Sequence, residues 1–141
     1  MKKYIYKYPR PALTVDAIVF ANADDVTFIL LIRRGIQPFK GKWALPGGFV
    51  NINELLETAC IRELKEETGL EVESMKQFKA FDAINRDPRH RTISVVYSTQ
   101  LGEKAEVKGG DDAAHAEWFP VKSLPEMAFD HNAIIEEFFS I

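Results

Sequence analysis

The hydrophobic positions of the chain fall mainly into short runs typical of β-strands. The segment TVDAIVF, residues 14–20, is rich in β-branched and apolar residues and predicts a first strand. After the turn-forming residues ANADD, the segment VTFILLIRR, residues 26–34, predicts a second strand, and its unbroken apolar run indicates burial on both faces. Frequent Pro and Gly in residues 35–53 predict a loop that contains a short strand around residues 43–45.

A helical pattern then replaces the strand pattern. Residues 54–68 are dominated by good helix formers, with Asn53 placed to cap the start of the helix and Gly69 to end it. Leu56, Cys60 and Leu64 recur at helical spacing and form the stripe expected to face the core.

The second half of the chain returns to strands. The segments KQFKAFDAIN and RTISVVYSTQL predict two paired strands around the polar turn RDPRHR, because Pro88 cannot lie inside a ladder. An acidic, glycine-rich loop follows, EWFPV predicts a short last strand, and Asp130 is placed to cap a final amphipathic helix that runs to residue 139. Helices that interrupt a largely strand-forming chain predict a mixed sheet covered by helices on both faces.

Composition narrows the class of protein. The 141 residues, with 46% hydrophobic and 28% charged residues, predict one globular domain over residues 1–141. The net charge of -3 gives no bulk attraction to nucleic acid or to an anionic membrane, and the apolar runs are too short to span a bilayer. The single cysteine excludes an intrachain disulfide and a cysteine-based zinc site, and the N-terminus lacks a signal-peptide pattern. We therefore expect a cytoplasmic protein without nucleic-acid or membrane partners.

Three glutamates on the predicted helix indicate chemistry. Glu63, Glu66 and Glu67 stand at positions i, i+3 and i+4, so their carboxylates share one side of the helix. Like charges at this spacing destabilise a helix by a few tenths of a kcal/mol per pair. Arg62, four residues before Glu66, offsets part of the repulsion, and a bound cation would offset far more.

The position of these carboxylates favours a hard metal ion. Glu63 and Glu67 border the apolar stripe, so they can gather at a cleft, where oxygen ligands select Mg²⁺ or Mn²⁺ over zinc. The backbone at Gly47 and Gly48 can approach the same ion because glycine allows close contact. From spacing alone, a merely solvated acidic helix remains the alternative.

The segment around this helix resembles the signature of the Nudix hydrolases. That signature runs Gly, five residues, Glu, seven residues, Arg-Glu, a bulky aliphatic residue, one residue, Glu-Glu, one residue, Gly and a bulky aliphatic residue. Every specified position is filled here, by Gly48, Glu54, Arg62, Glu63, Leu64, Glu66, Glu67, Gly69 and Leu70. The flanking segments KWALPGGFV and EWFPVKSLP are also similar to the family.

The resemblance implies an α/β/α sandwich with a mixed central β-sheet and the hydrolysis of a nucleoside diphosphate linked to another group. By the same resemblance Glu63, Glu66, Glu67 and the Gly47 carbonyl would bind divalent cations, Mg²⁺ or Mn²⁺.

Further roles follow from the resemblance. Arg62 would hold the carboxylates in place, and Glu54 would support them near the helix start. The general base would be a box glutamate or an acid of the late loop GGDDAAHAEW, where Asp112 matches an additional metal-binding acid of some members. Asp111 and Glu117 are further candidates in that loop.

The substrate is less closely defined by the sequence. Pro88 after the box and the segment AFDH resemble the ADP-ribose pyrophosphatase branch, which implies cleavage of ADP-ribose to AMP and ribose 5-phosphate. Guanidinium groups clamp phosphates well, and aromatic rings stack on bases. The candidate substrate contacts are Arg33, Arg34, Arg86, Arg89, Phe39 and Phe81, with solvated or core positions as the alternative.

Other functions stay open at this stage. One is removal of oxidised nucleoside triphosphates by the same chemistry, and another is a non-catalytic domain that senses an ADP-ribose-type ligand. The complete acidic box and the end of the chain at Ile141, which leaves no room for a DNA-binding domain, oppose the sensor. His90, His115 and His131 show no ligand spacing and are expected to contribute little, and formation of a homodimer is left open.

Overall fold

One mixed sheet connects all the strands of the protein. A computed structural model describes residues 3–110 and 113–141. The elements are β1 (Ala12–Ala23), β2 (Val26–Arg34), β3 (Trp43–Ala44), β4 (Gly47–Phe49), α1 (Leu56–Thr68), β5 (Lys76–Phe81), β6 (Thr92–Leu101), β7 (Ala113–Pro120) and α2 (His131–Phe139). The strand order in this seven-stranded sheet is β3-β2-β1-β6-β5, with β4 paired to β1 and β7 paired to β2. Among the pairs of named strands in the described residues, only β1–β6 is parallel, and an isolated bridge between Trp43 and Met127 is parallel as well.

The core lies on both faces of this sheet. Leu30 and Ile32 of β2 pack in one cluster with residues of α1, whereas Ile29 and Leu31 pack in a second cluster with residues of α2. All four side chains are buried, and each contributes about 1.5–3 kcal/mol by leaving water. The predicted burial of this strand on both faces is confirmed, and so is the α/β/α sandwich.

The first two strands form a tight hairpin. Asp24 and Asp25 both have positive φ, 51° and 64°, between the paired residues Ala23 and Val26. Positive φ at both central residues is the requirement of a two-residue type I′ turn, which aspartate tolerates better than most residues. The turn predicted in ANADD is therefore confirmed, although β1 extends further into it than the pattern indicated.

The ends of the helices differ from the predictions. Helix α1 begins at Leu56 rather than at residue 54, so Asn53 as its cap is wrong. Gly69 does end the helix, with φ of 77° and its N–H donating to the Lys65 carbonyl. Asp130 stands directly before α2 as predicted, but its carboxylate accepts hydrogen bonds from Arg86 instead of capping the helix.

Two features of the strands were also missed. Strand β4 lies where the sequence predicted a loop. Glycine does not favour a strand locally, but these residues pair with β1, with Asp16 opposite Gly47, and this pairing forms the strand. Strand β7 begins at Ala113, four residues before the predicted EWFPV segment.

In the parts of the chain that the structure describes, neither helix has the length and apolar character needed to cross a membrane.

Candidate active site

A cavity of about 340 Å³ opens between the N-terminal end of β1 and the loops around it. This volume falls within the range of small-molecule sites. We call its two sides the acidic end, formed by Gly47, Gly48, Glu63, Glu66 and Glu67, and the basic end, formed by Arg34, Arg86, Arg89 and Phe129. The three glutamates predicted to share one side of the helix thus lie together at the cavity.

Glu67 is the most buried of these carboxylates. Its residue is only 8% exposed, and the Gly47 N–H donates to its Oε1 atom over 2.7 Å. Burial, together with the nearby Glu63 and Asp16, raises the pKa of Glu67 to about 8, against the opposing effects of the Gly47 hydrogen bond and the Arg34 guanidinium. The acidic end therefore holds more negative charge than its own cations neutralise.

Arg62 connects the other carboxylates. Its Nε donates to Glu54 over 2.7 Å, and its Nη1 donates to Glu63 over 2.8 Å and to Glu66 over 3.2 Å. Its Nη2 reaches the Phe49 carbonyl over 3.2 Å. The hydrogen bond from Arg62 lowers the pKa of Glu54. One guanidinium thus offsets the repulsion that the helical spacing creates and ties the helix to β4.

Glycine at positions 47 and 48 leaves room for the groups that face the β4 backbone. A Cβ atom on Gly48 would lie 2.5 Å from the carboxyl carbon of Glu63. A Cβ atom on Gly47 would lie 2.1 Å from the Val15 carbonyl oxygen and 2.4 Å from Oδ1 of Asp16. Only residues without a side chain bring the β4 backbone this close to α1 and β1.

The donor atoms of the acidic end fit a hard dication. They are carboxylate and backbone oxygens, the ligands that Mg²⁺ and Mn²⁺ prefer, and the excess negative charge around Glu67 favours a cation. Within residues 3–110 and 113–141, however, no three acidic, histidine or cysteine side chains are grouped as a preformed metal cluster. The guanidinium of Arg62 bonds to Glu63 and Glu66, so part of their binding capacity is engaged in the protein.

The basic end combines guanidinium groups with an aromatic ring. The Arg34 and Arg89 guanidiniums lie 5.0 and 5.8 Å from the centre of the Phe129 ring, within cation–π range. Arg34 Nε donates to the Pro38 carbonyl over 2.6 Å, and Arg89 forms a two-point pair with Asp87. These contacts orient both cations beside the cavity.

Arg86 has a different environment at the same end. Its side chain is 4% exposed, and its Nε and Nη2 donate to the two Asp130 oxygens over 3.0 and 2.8 Å. Arg86, one of the arginines that the sequence suggested as substrate contacts, therefore lines the cavity. Its guanidinium also joins the β5–β6 loop to the start of α2.

The remaining predicted residues fall elsewhere. Arg33 is exposed and donates to the Gly41 carbonyl, and Phe39 packs edge-on against Phe129, so both lie beside the cavity rather than in its lining. Phe81 packs on the core cluster under α2. Glu117 pairs with His115 on the exposed side of β7, away from the cavity. Asp111 and Asp112 lie outside the described residues.

Sequence reasoning missed a polar group at the cavity floor. Asp16 and His131 are buried and line the cavity, and the buried Ser94 hydroxyl donates to Oδ2 of Asp16. Asp16 is the one charged residue in the apolar strand TVDAIVF, which was an available signal. The sequence analysis expected His131 to contribute little, and the fold brings this side chain into the cavity lining.

Comparisons with known proteins agree with this geometry. A model of the NUDIX domain matches residues 10–138. The chain is 44% identical over 138 residues to the ADP-ribose pyrophosphatase of Methanocaldococcus jannaschii, covering 98% of this chain and 78% of that protein.

Two solved structures extend the comparison. The NUDIX domain of Shewanella oneidensis NrtR complexed with ADP ribose has a TM-score of 0.87 at 29% identity, covering 94% of this chain and 89% of that chain. A bifunctional NMN adenylyltransferase/ADP ribose pyrophosphatase from Francisella tularensis, complexed with AMP and a Mn ion, has a TM-score of 0.85 at 33% identity. That match covers 96% of this chain and 43% of the other.

Proposed function

Because this chain belongs to the Nudix family, whose hydrolases act on phosphoric anhydride bonds, we propose that it cleaves ADP-ribose to AMP and ribose 5-phosphate with Mg²⁺ or Mn²⁺. The observation that carries this proposal is the pairing of an acidic and a basic end in one cavity. A diphosphate bridge needs both, since its oxygens bind a cation and also accept hydrogen bonds from guanidinium groups. The archaeal relative, named an ADP-ribose pyrophosphatase, supports the choice of substrate.

We assign the cation to the acidic end. Glu63, Glu66, Glu67 and the Gly47 carbonyl would hold it, in accordance with their oxygen-only chemistry and their position at the cavity. When bound, the cation shields the phosphate oxygens and lowers the pKa of a water molecule.

The residues of the chain supply the rest of the chemistry. Arg62 holds Glu63 and Glu66 at fixed positions, so these carboxylates do not swing away from one another. We propose Glu66 or Glu67 as the acceptor of the water proton, with Asp112 of the late loop as the further candidate that the sequence raised. Arg34 and Arg89 would then orient the phosphates from the basic end.

A substrate panel tests the proposal directly. The purified protein is incubated with MgCl₂ or MnCl₂ and, separately, with ADP-ribose, NADH, nucleotide sugars and oxidised dGTP, and the products are separated by ion-exchange chromatography. We expect AMP from ADP-ribose to form much faster than product from the other compounds, and chelation of the metal to stop the reaction.

Two other results would redirect the assignment. Preference for oxidised dGTP would indicate a nucleoside triphosphate pyrophosphatase. Binding of ADP-ribose without turnover would indicate a sensor, as the likeness to the NUDIX domain of NrtR makes reasonable. Formation of a homodimer stays open, and light scattering of the same preparation measures the mass of the protein in solution.

A further inference from the structure

We propose that His131 is a positioning residue for the reaction: its imidazole fixes residues 45–47 and thereby the backbone of Gly47 beside Glu67. The inference rests on the proposed function, because it assigns His131 to the same active site. It concerns a side chain that lies on α2, across the sheet from the acidic helix α1.

Three successive residues before and in β4 are each held by a different element. The Leu45 N–H donates to Nδ1 of His131 on α2 over 3.0 Å. The Pro46 carbonyl accepts the Ala17 N–H of β1 over 2.8 Å, and the Gly47 N–H donates to Glu67 of α1 over 2.7 Å. The backbone that we assign to the cation is thus fixed from three directions, and one of these contacts depends on a single imidazole.

The surroundings of His131 make this contact specific. The residue is 4% exposed and Leu45 is 2% exposed, so water does not replace the imidazole as acceptor for the Leu45 N–H. Since Nδ1 accepts a hydrogen bond, the neutral ring carries its proton on Nε2. This Nε2 lies 3.7 Å from Oδ2 of Asp16.

Charged groups of both signs surround the imidazole. Asp16 and Asp130 face it as anions, and Arg86 and Arg34 face it as cations. The Phe129 ring packs against it with a centroid distance of 5.3 Å. Asp16 also accepts the Ser94 hydroxyl and stands opposite Gly47 in the sheet. The imidazole therefore lies beside β1 at Asp16 and holds Leu45, two residues before β4.

Two matched substitutions test the role of Nδ1. In His131→Asn the amide oxygen lies near the former Nδ1 position and keeps an acceptor for Leu45. In His131→Gln the same amide is displaced by one methylene. His115→Gln is the control, since His115 is exposed on β7 and does not line the cavity.

We expect His131→Gln to lower kcat about 10- to 100-fold with KM for ADP-ribose within about threefold, because small displacements of reacting groups are costly. His131→Asn should retain kcat within about threefold, and the control should match the unchanged protein. In ¹H–¹⁵N spectra of the metal-free protein, the Leu45 and Gly47 amide signals should shift in His131→Gln. They should stay near their original positions in His131→Asn.

Several outcomes would overturn the inference. One is a folded His131→Gln protein with unchanged kcat, and another is an equal loss of kcat in both variants. If the variants do not fold, the hydrogen bond between Leu45 and His131 can be tested in the unchanged protein. A ¹⁵N–¹⁵N coupling across this bond should be present, and its absence contradicts the proposal. Absence of hydrolysis together with the expected amide shifts would reject the proposed function alone.

Discussion

The acidic end of the cavity comes from two neighbouring segments of chain, whereas the basic end comes from three distant ones. Gly47, Gly48 and the glutamates of α1 lie within residues 47–67. Arg34 ends β2, Arg86 and Arg89 belong to the β5–β6 loop, and Phe129 precedes α2. A local helical repeat is sufficient to gather carboxylates, but only the folded sheet brings these arginines to one place.

The two ends also differ in how their charges are balanced. At the basic end, Arg86 donates two hydrogen bonds to the Asp130 carboxylate, and Arg89 donates two to the Asp87 carboxylate. At the acidic end burial and the neighbouring acids raise the pKa of Glu67, so the protein by itself does not compensate this carboxylate. The difference indicates that Arg86 and Arg89 are held in place by the protein itself, while the acidic end is arranged for a cation. We therefore expect changes at the two ends to affect different properties.

The largest effect is expected from Glu67→Gln. Removal of the carboxylate should lower kcat by about 10²–10⁴-fold, the range typical of a lost proton acceptor or metal ligand. The fold should persist, because the amide oxygen can still accept the Gly47 N–H. Steady-state kinetics and circular dichroism measure the two effects.

Glu71→Gln is the control for this change, since Glu71 forms an exposed pair with Lys65. An active, folded Glu67→Gln protein would remove this residue from the site and leave the cation to the other carboxylates.

Breaking the charge pair at the basic end should affect stability instead. Arg86→Met leaves the Asp130 carboxylate, which is 26% exposed, without its guanidinium partner. The loss of unfolding free energy should be about 3 kcal/mol, at the low end of the range for a broken buried pair, because the remaining carboxylate is partly solvated. Lys79→Met, which breaks the exposed pair with Glu137, should cost less than about 1 kcal/mol. Urea denaturation compares the two variants, and equal losses would show that burial of Arg86 is unimportant.

Stability of the metal-free protein should fall as the pH rises. Folded Glu67 keeps its proton to about pH 8, whereas the unfolded side chain loses it near its ordinary pKa of 4.5, so the folded state binds more protons between these values. We expect a loss of about 1–2 kcal/mol from pH 6 to pH 7.5, since one such group contributes at most about 1.4 kcal/mol per pH unit.

Thermal melting in the presence of a chelator measures this loss. Glu67→Gln should flatten the dependence, and added Mg²⁺ should stabilise the protein more at the higher pH. If the stability of the metal-free protein rose from pH 6 to pH 7.5, the interpretation that Glu67 is an uncompensated carboxylate would be wrong.

The smallest effect is expected from Gly48→Ala. The added methyl group would contact the end of the Glu63 side chain, which must move away, and we expect about a tenfold loss of kcat with little loss of stability. Gly102→Ala is the matched control, because nothing lies within 4 Å of the position of its added Cβ. Equal activity of both variants would show that Glu63 tolerates displacement.

The sequence predictions succeeded where a feature depends on residues close together in the chain. The unbroken apolar run of β2, the Asp24–Asp25 turn and Gly69 at the helix end follow from local patterns, and the structure confirms them. Asn53 was a reasonable cap by propensity, but the neighbouring Glu54 carboxylate accepts the Asn51 N–H and Arg62, and the helix starts later. Competition from a tertiary contact therefore moved that boundary.

The sequence by itself determined the two-sided core and the gathering of Glu63, Glu66 and Glu67, because residue spacing along a strand or helix defines which side chains share a face. Only the tertiary structure decided that His131 meets Leu45, 86 residues apart, and that Asp16 lies opposite Gly47. Such contacts depend on the register of strands and on the packing of a distant helix. No local pattern encodes these, so the acidic helix was visible in the chain while the groups that orient it were not.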